Sequence, residues 1–343
     1  MRARGIPRLL GVILLVIASG CGDPPGEAPF IVVYTSVDDV FARPIAERIA
    51  EEIGVEVRLV PDTEETKSTG LLNRLLAEKE RPVADVFWSG DPVRAATLAR
   101  RGVAASYRSP AAEGLPQRYS SPSGLWTGFS VRARVLIWNR NLVAAADAPS
   151  GVFDLLDARF REQACIANPL FGTTSMHAAA LFQALGRERA QAFFDGFRVN
   201  GGKVLSSNGE VKRRVASGEF AVGITDTDDA NVARLEGKPI GIVFPDQGGI
   251  GTLIIPNCAV LIAGAPHEAA AQRFIDSLLE SETEAELARS EAAQLPVRPG
   301  VVSPAAFPAL ASIEAMVVDY DVLAALLDDL STGFLRQWVE AGE

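Results

Sequence analysis

The sequence predicts an α/β protein of two lobes, each a mostly parallel sheet with helices on both faces. Three observations carry that expectation. Apolar strand-like runs alternate with amphipathic helical stretches from Phe30 onward, the pattern that builds parallel sheets. The 343-residue chain exceeds one comfortable core, at about 100–200 residues per domain. A loop rich in Pro, Ser and Gly, residues 109–124, then splits the series in two.

In the first series, Phe30 to Tyr34 is a continuous apolar run ending in Thr35-Ser36, a buried strand entering a turn and helix cap. Phe41, Ile45, Ile49 and Ile53 recur every four residues, a helix with Glu47, Glu51 and Glu52 off its apolar stripe. Val55 to Val60 alternates strictly and reads as a strand. Lys67 to Glu80 reads as a helix, Ala84 to Trp88 as a buried strand, and Pro92 to Arg101 as a helix closed by Gly102.

In the second series, Val131 to Asn139 and Cys165 to Asn168 are strands. Thr173 to Leu185, Arg187 to Phe197 and Gly209 to Gly218 are helices. Ala221 to Thr225 is a short buried strand, Leu253 to Ala263 a long apolar one, and Glu268 to Ser290 a single amphipathic helix. Gln294 to Gly300 is extended, since each proline favours that geometry before it.

Residues 1–20 read as a secretory signal: Arg2, Arg4 and Arg8, then the apolar run Leu9 to Ala18, then Ser19-Gly20 before Cys21. Cysteine directly after Ala-Ser-Gly has the form of a lipobox, so Cys21 is the expected lipidation site and residues 21–29 the lipidated tether. An ordinary signal peptide with a chance cysteine is the alternative. The expectation is export to the bacterial cell envelope, with membrane contact through the lipid anchor only, because no later run of 18 apolar residues occurs. Losing the three leader arginines takes the formal charge from −10 to −13, an acidic surface unsuited to nucleic acid. Cys165 and Cys258 could pair in an exported chain, though each sits in an apolar run where a buried thiol serves equally. His177 and His267 are the only histidines, and neither a Gly-x-Ser-x-Gly elbow nor a His-Glu-x-x-His helix is present. No catalytic residue and no enzyme are expected.

Val33-Tyr34-Thr35-Ser36, Ala84-Asp85-Val86-Phe87-Trp88-Ser89, Trp126-Thr127-Gly128 running into Arg132-Ala133-Arg134-Val135, Asn168-Pro169 and Pro296-Val297-Arg298-Pro299-Gly300 follow a familiar order. Behind a lipobox, that order resembles the extracellular solute-binding proteins of ABC importers, and most of all their ferric-ion-binding branch. The resemblance covers about residues 30–330. It implies a type II periplasmic-binding-protein fold, with two α/β lobes joined by crossing strands near 126–132 and 251–257. Lobe one is then residues 30–125 plus 258–343, lobe two is residues 126–257, and the ligand lies in the cleft between them. The implied protein is a monomer that binds without chemistry and delivers cargo to a permease and its ATPase.

Five polar turns fall where strands run into helices: Thr35-Ser36-Val37-Asp38-Asp39, Ser89-Gly90-Asp91, Phe171-Gly172-Thr173-Thr174-Ser175, Ser206-Ser207-Asn208 and Thr225-Asp226-Thr227-Asp228-Asp229. Helix capping explains any one of them; the set, at the ligand edge of an α/β sheet, predicts a site. Gly172 to Ser175 opens a helix whose N–H groups, hydroxyls and positive dipole end suit phosphate, carboxylate or carbonate. Asn208, Thr225 and Arg132 could complete that seat, with Arg132 gripping bidentately or else forming a hinge salt bridge.

Positions matching the ferric branch's two tyrosine ligands hold Thr227 and Asp228, its histidine matches Asp38, and its glutamate matches Gly90. Losing both phenolates argues against ferric cargo. Asp38, Asp39, Asp91, Asp226, Asp228 and Asp229 must point outward or meet a cation. That cation is an ammonium, a guanidinium, or a hard metal held by Asp38, Asp226 and Asp228. Trp88 could stack on a cationic or flat ligand group, or pack in the sheet core. The expected ligand is a small molecule with an anionic group, such as the zwitterion of an aminophosphonate. Ferric ion with its anion is the alternative, and an exported hydrolase the alternative of another class. No cofactor is expected, and a metal enters only as cargo.

Overall fold

The structure, a computed structural model, describes residues 29–62 and 69–342. The expected signal peptide, Cys21 and the tether up to residue 28 lie outside the described residues. In chain order the elements are β1 (Phe30–Thr35), α1 (Asp39–Ile53), β2 (Glu56–Pro61), α2 (Thr69–Ala77), β3 (Val86–Ser89), α3 (Pro92–Arg100) and β4 (Ala104–Ala105). There follow β5 (Thr127–Asn139), β6 (Ala164–Ala167), α4 (Gly172–Leu185), α5 (Arg187–Val199), β7 (Lys203–Leu205), α6 (Asn208–Ser217), β8 (Val222–Asp226), α7 (Thr227–Leu235) and β9 (Ile240–Val243). The chain closes with β10 (Ile254–Ile262), α8 (Glu268–Leu278), α9 (Ser281–Arg289), α10 (Tyr320–Thr332) and α11 (Phe334–Glu340).

Strands lie in the order β2-β1-β3-β10-β5-β8-β6-β7, with β4 also on β10 and β9 also on β5. Each end of the array is parallel: β1 pairs with β2 and β3, and β6 pairs with β7 and β8. The middle is antiparallel, because β5 and β10 run against each other and against the strands beside them. The array is therefore mixed rather than mostly parallel. The apolar runs of β5 and β10 read as buried strands, but their direction was not written in their composition.

β5 serves both ends. Thr127 to Ala133 pairs with β10, and Arg134 to Trp138 pairs with β8. The register breaks between Pro256 and Asn257, opposite Ser130, whose φ is +35°. Side chains repair the irregular backbone there: Ser130 N donates to Glu284 Oε1 at 2.7 Å, and Asn257 Nδ2 donates to Ser130 O at 2.8 Å.

The single helix expected over Glu268 to Ser290 is two, broken at Leu279-Glu280. Burying both Leu278 and Leu287 needs the turn, and Arg298 Nη2 donates to the helix-end carbonyl of buried Leu279 at 2.7 Å. α10 packs against both α3 and α4. α11 then lies on the β6–β8 side, with Phe334 against Phe182 and Trp338 against Phe194 at centroid separations of 5.6 and 5.3 Å. Cys165 in β6 and Cys258 in β10 are buried free thiols, so they form no disulfide. Among the described residues no helix is long and apolar enough to cross a membrane.

Candidate functional site

The carboxyl ends of β1, β6 and β8 and the N-termini of α1, α4, α6 and α7 open on one cleft of about 700 Å³. Of the residues singled out from sequence, Ser36, Asp38, Arg132, Thr173, Thr174, Asn208, Asp226 and Asp228 line it, joined from the same polar turns by Phe171, Gly172, Ser206, Ser207 and Asp229.

The centre of the polar wall is set by strand register. Arg134 on β5 sits directly opposite Asp226 on β8, so the two side chains share a face. Arg134 Nη1 donates to Asp226 Oδ1 at 2.7 Å, to Thr173 Oγ1 at 3.1 Å and to Asn208 Oδ1 at 3.1 Å. Its Nη2 reaches Thr174 Oγ1 at 3.3 Å. Thr173 in turn donates to Asp226 Oδ2 at 2.6 Å, and Asn208 Nδ2 donates to Thr173 Oγ1 at 2.8 Å. Four elements are thus tied by one fully buried guanidinium. Burial alone would raise the Asp226 pKa, but Arg134 and Arg132 outweigh it and hold the carboxyl below its ordinary value. His177, a turn further along α4, is pushed down to about 3 by burial and by Arg134, and is neutral.

Arg132 lies two residues before Arg134, on the same strand face. Its fork is committed to the protein: Nη1 to Asp228 Oδ2 at 3.0 Å, and Nη2 to the Gly90 carbonyl at 2.7 Å. The bidentate anion grip is therefore not what this geometry presents. Arg132 instead bridges α7 to the turn after β3. Burial would lower its pKa, but Asp228 and Asp226 raise it further, so the cation is permanent.

The other predicted residues lie outside the lining. Thr35 Oγ1 accepts from Val37 N at 3.1 Å. Ser89 Oγ bonds both backbone groups of Asp91, whose own carboxylate caps α3 by accepting from Val93 N at 2.9 Å. Burial raises the Asp91 pKa, and Arg94 offsets only part of that. Ser175 accepts from Arg94 Nη2 at 3.1 Å and donates to Gly172 O. Thr225 donates to Asp229 Oδ2 at 3.1 Å, and Thr227 accepts from Ala133 N at 3.2 Å. Trp88 is buried in the sheet core, its ring centroid 6.3 Å from that of Phe129.

Arg134, Asn168, Lys212, Arg213 and Glu291, and the apolar Val40, Phe41 and Val232, were not expected at the site, and all but Arg134 are in the lining. Arg134 had a signal: two arginines at alternate positions of an otherwise apolar strand must be paired if buried. Lys212 and Arg213 had none, since charges midway along a helix read as a solvated face.

α4 begins without a side-chain cap, so its first N–H groups face the cleft beside Thr173 and Thr174. α6 starts at Asn208 in the same wall, with Arg213 exposed and without an ion-pair partner among the described residues. That wall offers donors and a positive dipole end to an anion. A metal fits less well. Among the described residues no three His, Cys, Asp or Glu side chains gather to hold one, so Asp38, Asp226 and Asp228 do not form the expected alternative trio. None of Tyr34, Tyr107, Tyr119 and Tyr320, the chain's four tyrosines, lines the cleft.

The sequence profile of a family described as bacterial extracellular solute-binding protein matches residues 45–315, which hold every cleft residue except those from Ser36 to Phe41. The chain belongs to that family. Iron uptake protein A1 of Synechocystis is 28% identical to this solute-binding protein over 305 residues, 83% of this chain and 82% of that one. A Salmonella typhi protein named for periplasmic binding of 2-aminoethylphosphonate is 26% identical over 238 residues, 64% of this chain and 68% of that one. The crystal structure of iron-bound HitA from Pseudomonas aeruginosa matches with a TM-score of 0.81 at 19% identity, covering 90% of this chain and 99% of that one. The likeness places the solute-binding protein in the type II periplasmic-binding-protein fold.

Proposed function

We propose that this solute-binding protein is the receptor of an ABC importer and captures a small organic ligand through the ligand's anionic group. The observation that carries the reading is the convergence of the α4 and α6 N-termini, with Thr173, Thr174, Asn208 and Arg213, on one wall of the cleft. Asp38 and Glu291 line the same cleft and suit an ammonium group, so an aminophosphonate-like zwitterion fits both ends. Binding is without chemistry, and the cargo passes unchanged to a permease and its ATPase. Two lobes, residues 30–125 with 258–343 and residues 126–257, close over the ligand about β5 and β10, with the C-terminal α11 packed on the second lobe rather than the first. Export by the leader, a lipid anchor on Cys21 and a monomeric body complete the reading.

Ferric iron is the second reading, favoured by the relative named for iron uptake. Against it stand the absence of tyrosine from the lining and the pairing of Asp226 and Asp228 with arginines. Thermal unfolding of residues 22–343 with phosphate, 2-aminoethylphosphonate or ferric salts separates the two. A native-state ligand at one hundred times its Kd adds about 2.7 kcal/mol. The anions should give that shift; a shift with ferric ion alone would reverse the reading.

A further inference from the structure

The cleft is larger and more apolar than an anion seat needs. Val40 and Phe41 at the start of α1, Phe171 before α4 and Val232 on α7 come from three separate segments and line it together with the polar wall. Val40 is 69% exposed. A single exposed valine calls for no explanation, but these side chains share one concave surface. Among the described residues, Val40, Phe171 and Val232 pack against none of the hydrophobic core clusters, and only Phe41 does so. Folding leaves Val40 exposed and Phe41, Phe171 and Val232 partly exposed, so apolar surface from all four remains at the cleft. It faces a space of about 700 Å³, within the range of roughly 300–1,000 Å³ that encloses organic ligands of many atoms. Phosphate or a two-carbon phosphonate would leave most of that surface wet, forgoing its burial.

We infer that the ligand is an amphipathic anion, a phosphonate, phosphate monoester or carboxylate attached to an apolar chain or ring of several carbons, and that Val40, Phe41, Phe171 and Val232 select that apolar body. This rests on the anion seat proposed above. The seat fixes one end of the ligand at α4 and α6, and the apolar rim covers the rest as the cleft shuts. Specificity between ligands sharing a head group then comes from the rim, because each methylene buried there adds to affinity while the head contributes equally to all.

Calorimetric titration of residues 22–343 with inorganic phosphate and with methyl-, propyl-, hexyl- and phenylphosphonate tests this. Affinity should rise about fourfold per methylene buried until the rim is filled. Val40→Ser and Val232→Ser, shown to be folded by circular dichroism, should each reduce that slope to less than about twofold per carbon. Anion binding with no dependence on chain length overturns the inference, since the rim would then close on protein rather than on ligand. Failure of every compound to bind, phosphate included, overturns the anion seat and the inference with it.

Discussion

The polar turns after β1 and β3 and the polar wall at the end of β8 carry similar residues and use them differently. At the ends of β1 and β3, Thr35, Ser36, Ser89 and Asp91 bond mainly to nearby backbone, capping turns and the first turn of α3. At the end of β8, Thr173, Thr174, Asn208 and Asp226 bond to one another and to Arg134. The difference lies in the neighbouring strand. Where Arg134 of β5 reaches in, the polar side chains organise as a network; after β3, where Arg132 reaches only the Gly90 carbonyl and Arg94 sits beside Asp91, they remain caps.

The largest expected effect breaks the networked wall. Arg134→Met leaves Asp226 buried beside His177 and Thr173 without its closest cation, and should cost about 3–5 kcal/mol in urea denaturation. Replacing Asp226 by Leu in the same chain should recover most of that loss. An Arg134→Met protein as stable as its parent would mean that the network contributes nothing.

Next comes acid sensitivity of the same wall. His177 is held near 3 in the fold against an ordinary value of 6.5, so the unfolded chain binds the proton first. Its contribution is complete above about pH 6.5 and drains as pH falls toward 3, by at most about 1.4 kcal/mol per pH unit. Asp246, held up to about 6 by burial, acts in the opposite sense over the upper part of that range. The contrast is therefore with His177→Gln, whose stability should fall less steeply between pH 6 and 4. Parallel curves for the two proteins would place His177 in an environment that tolerates charge.

The smallest effect sharpens the comparison from the capping turns. Asp91→Ala removes the α3 cap and should cost about 1–2 kcal/mol in thermal unfolding. It should leave anion affinity unaltered, because Asp91 is outside the cleft lining. Asn208→Ala should weaken anion binding at least tenfold. Equal losses of affinity in both variants would erase the distinction between the capping turns and the networked wall.

Much of this was legible in the sequence. Apolar runs and helical periodicity located β1, α1, β3, α3, α4, α5 and α6, because each has a continuous apolar run or stripe. The polar turns were visible as a set, and four of the five meet at the cleft with twelve residues in its lining. Strand direction was not visible, since β5 and β10 are apolar whichever way they run. Nor was the role of Arg134, which depends on the register that puts it opposite Asp226. Trp88 shows the converse: an aromatic at a strand end fits ligand stacking and core packing equally on paper, and only burial separates them.

The central claim is that an anion binds this cleft without help from iron. Titrating residues 22–343 calorimetrically with 2-aminoethylphosphonate, with and without one equivalent of ferric ion, tests it most directly. The account expects saturable heat in both titrations, with equal affinity and no visible charge-transfer band. Heat that appears only when ferric ion is present, together with such a band, would contradict it.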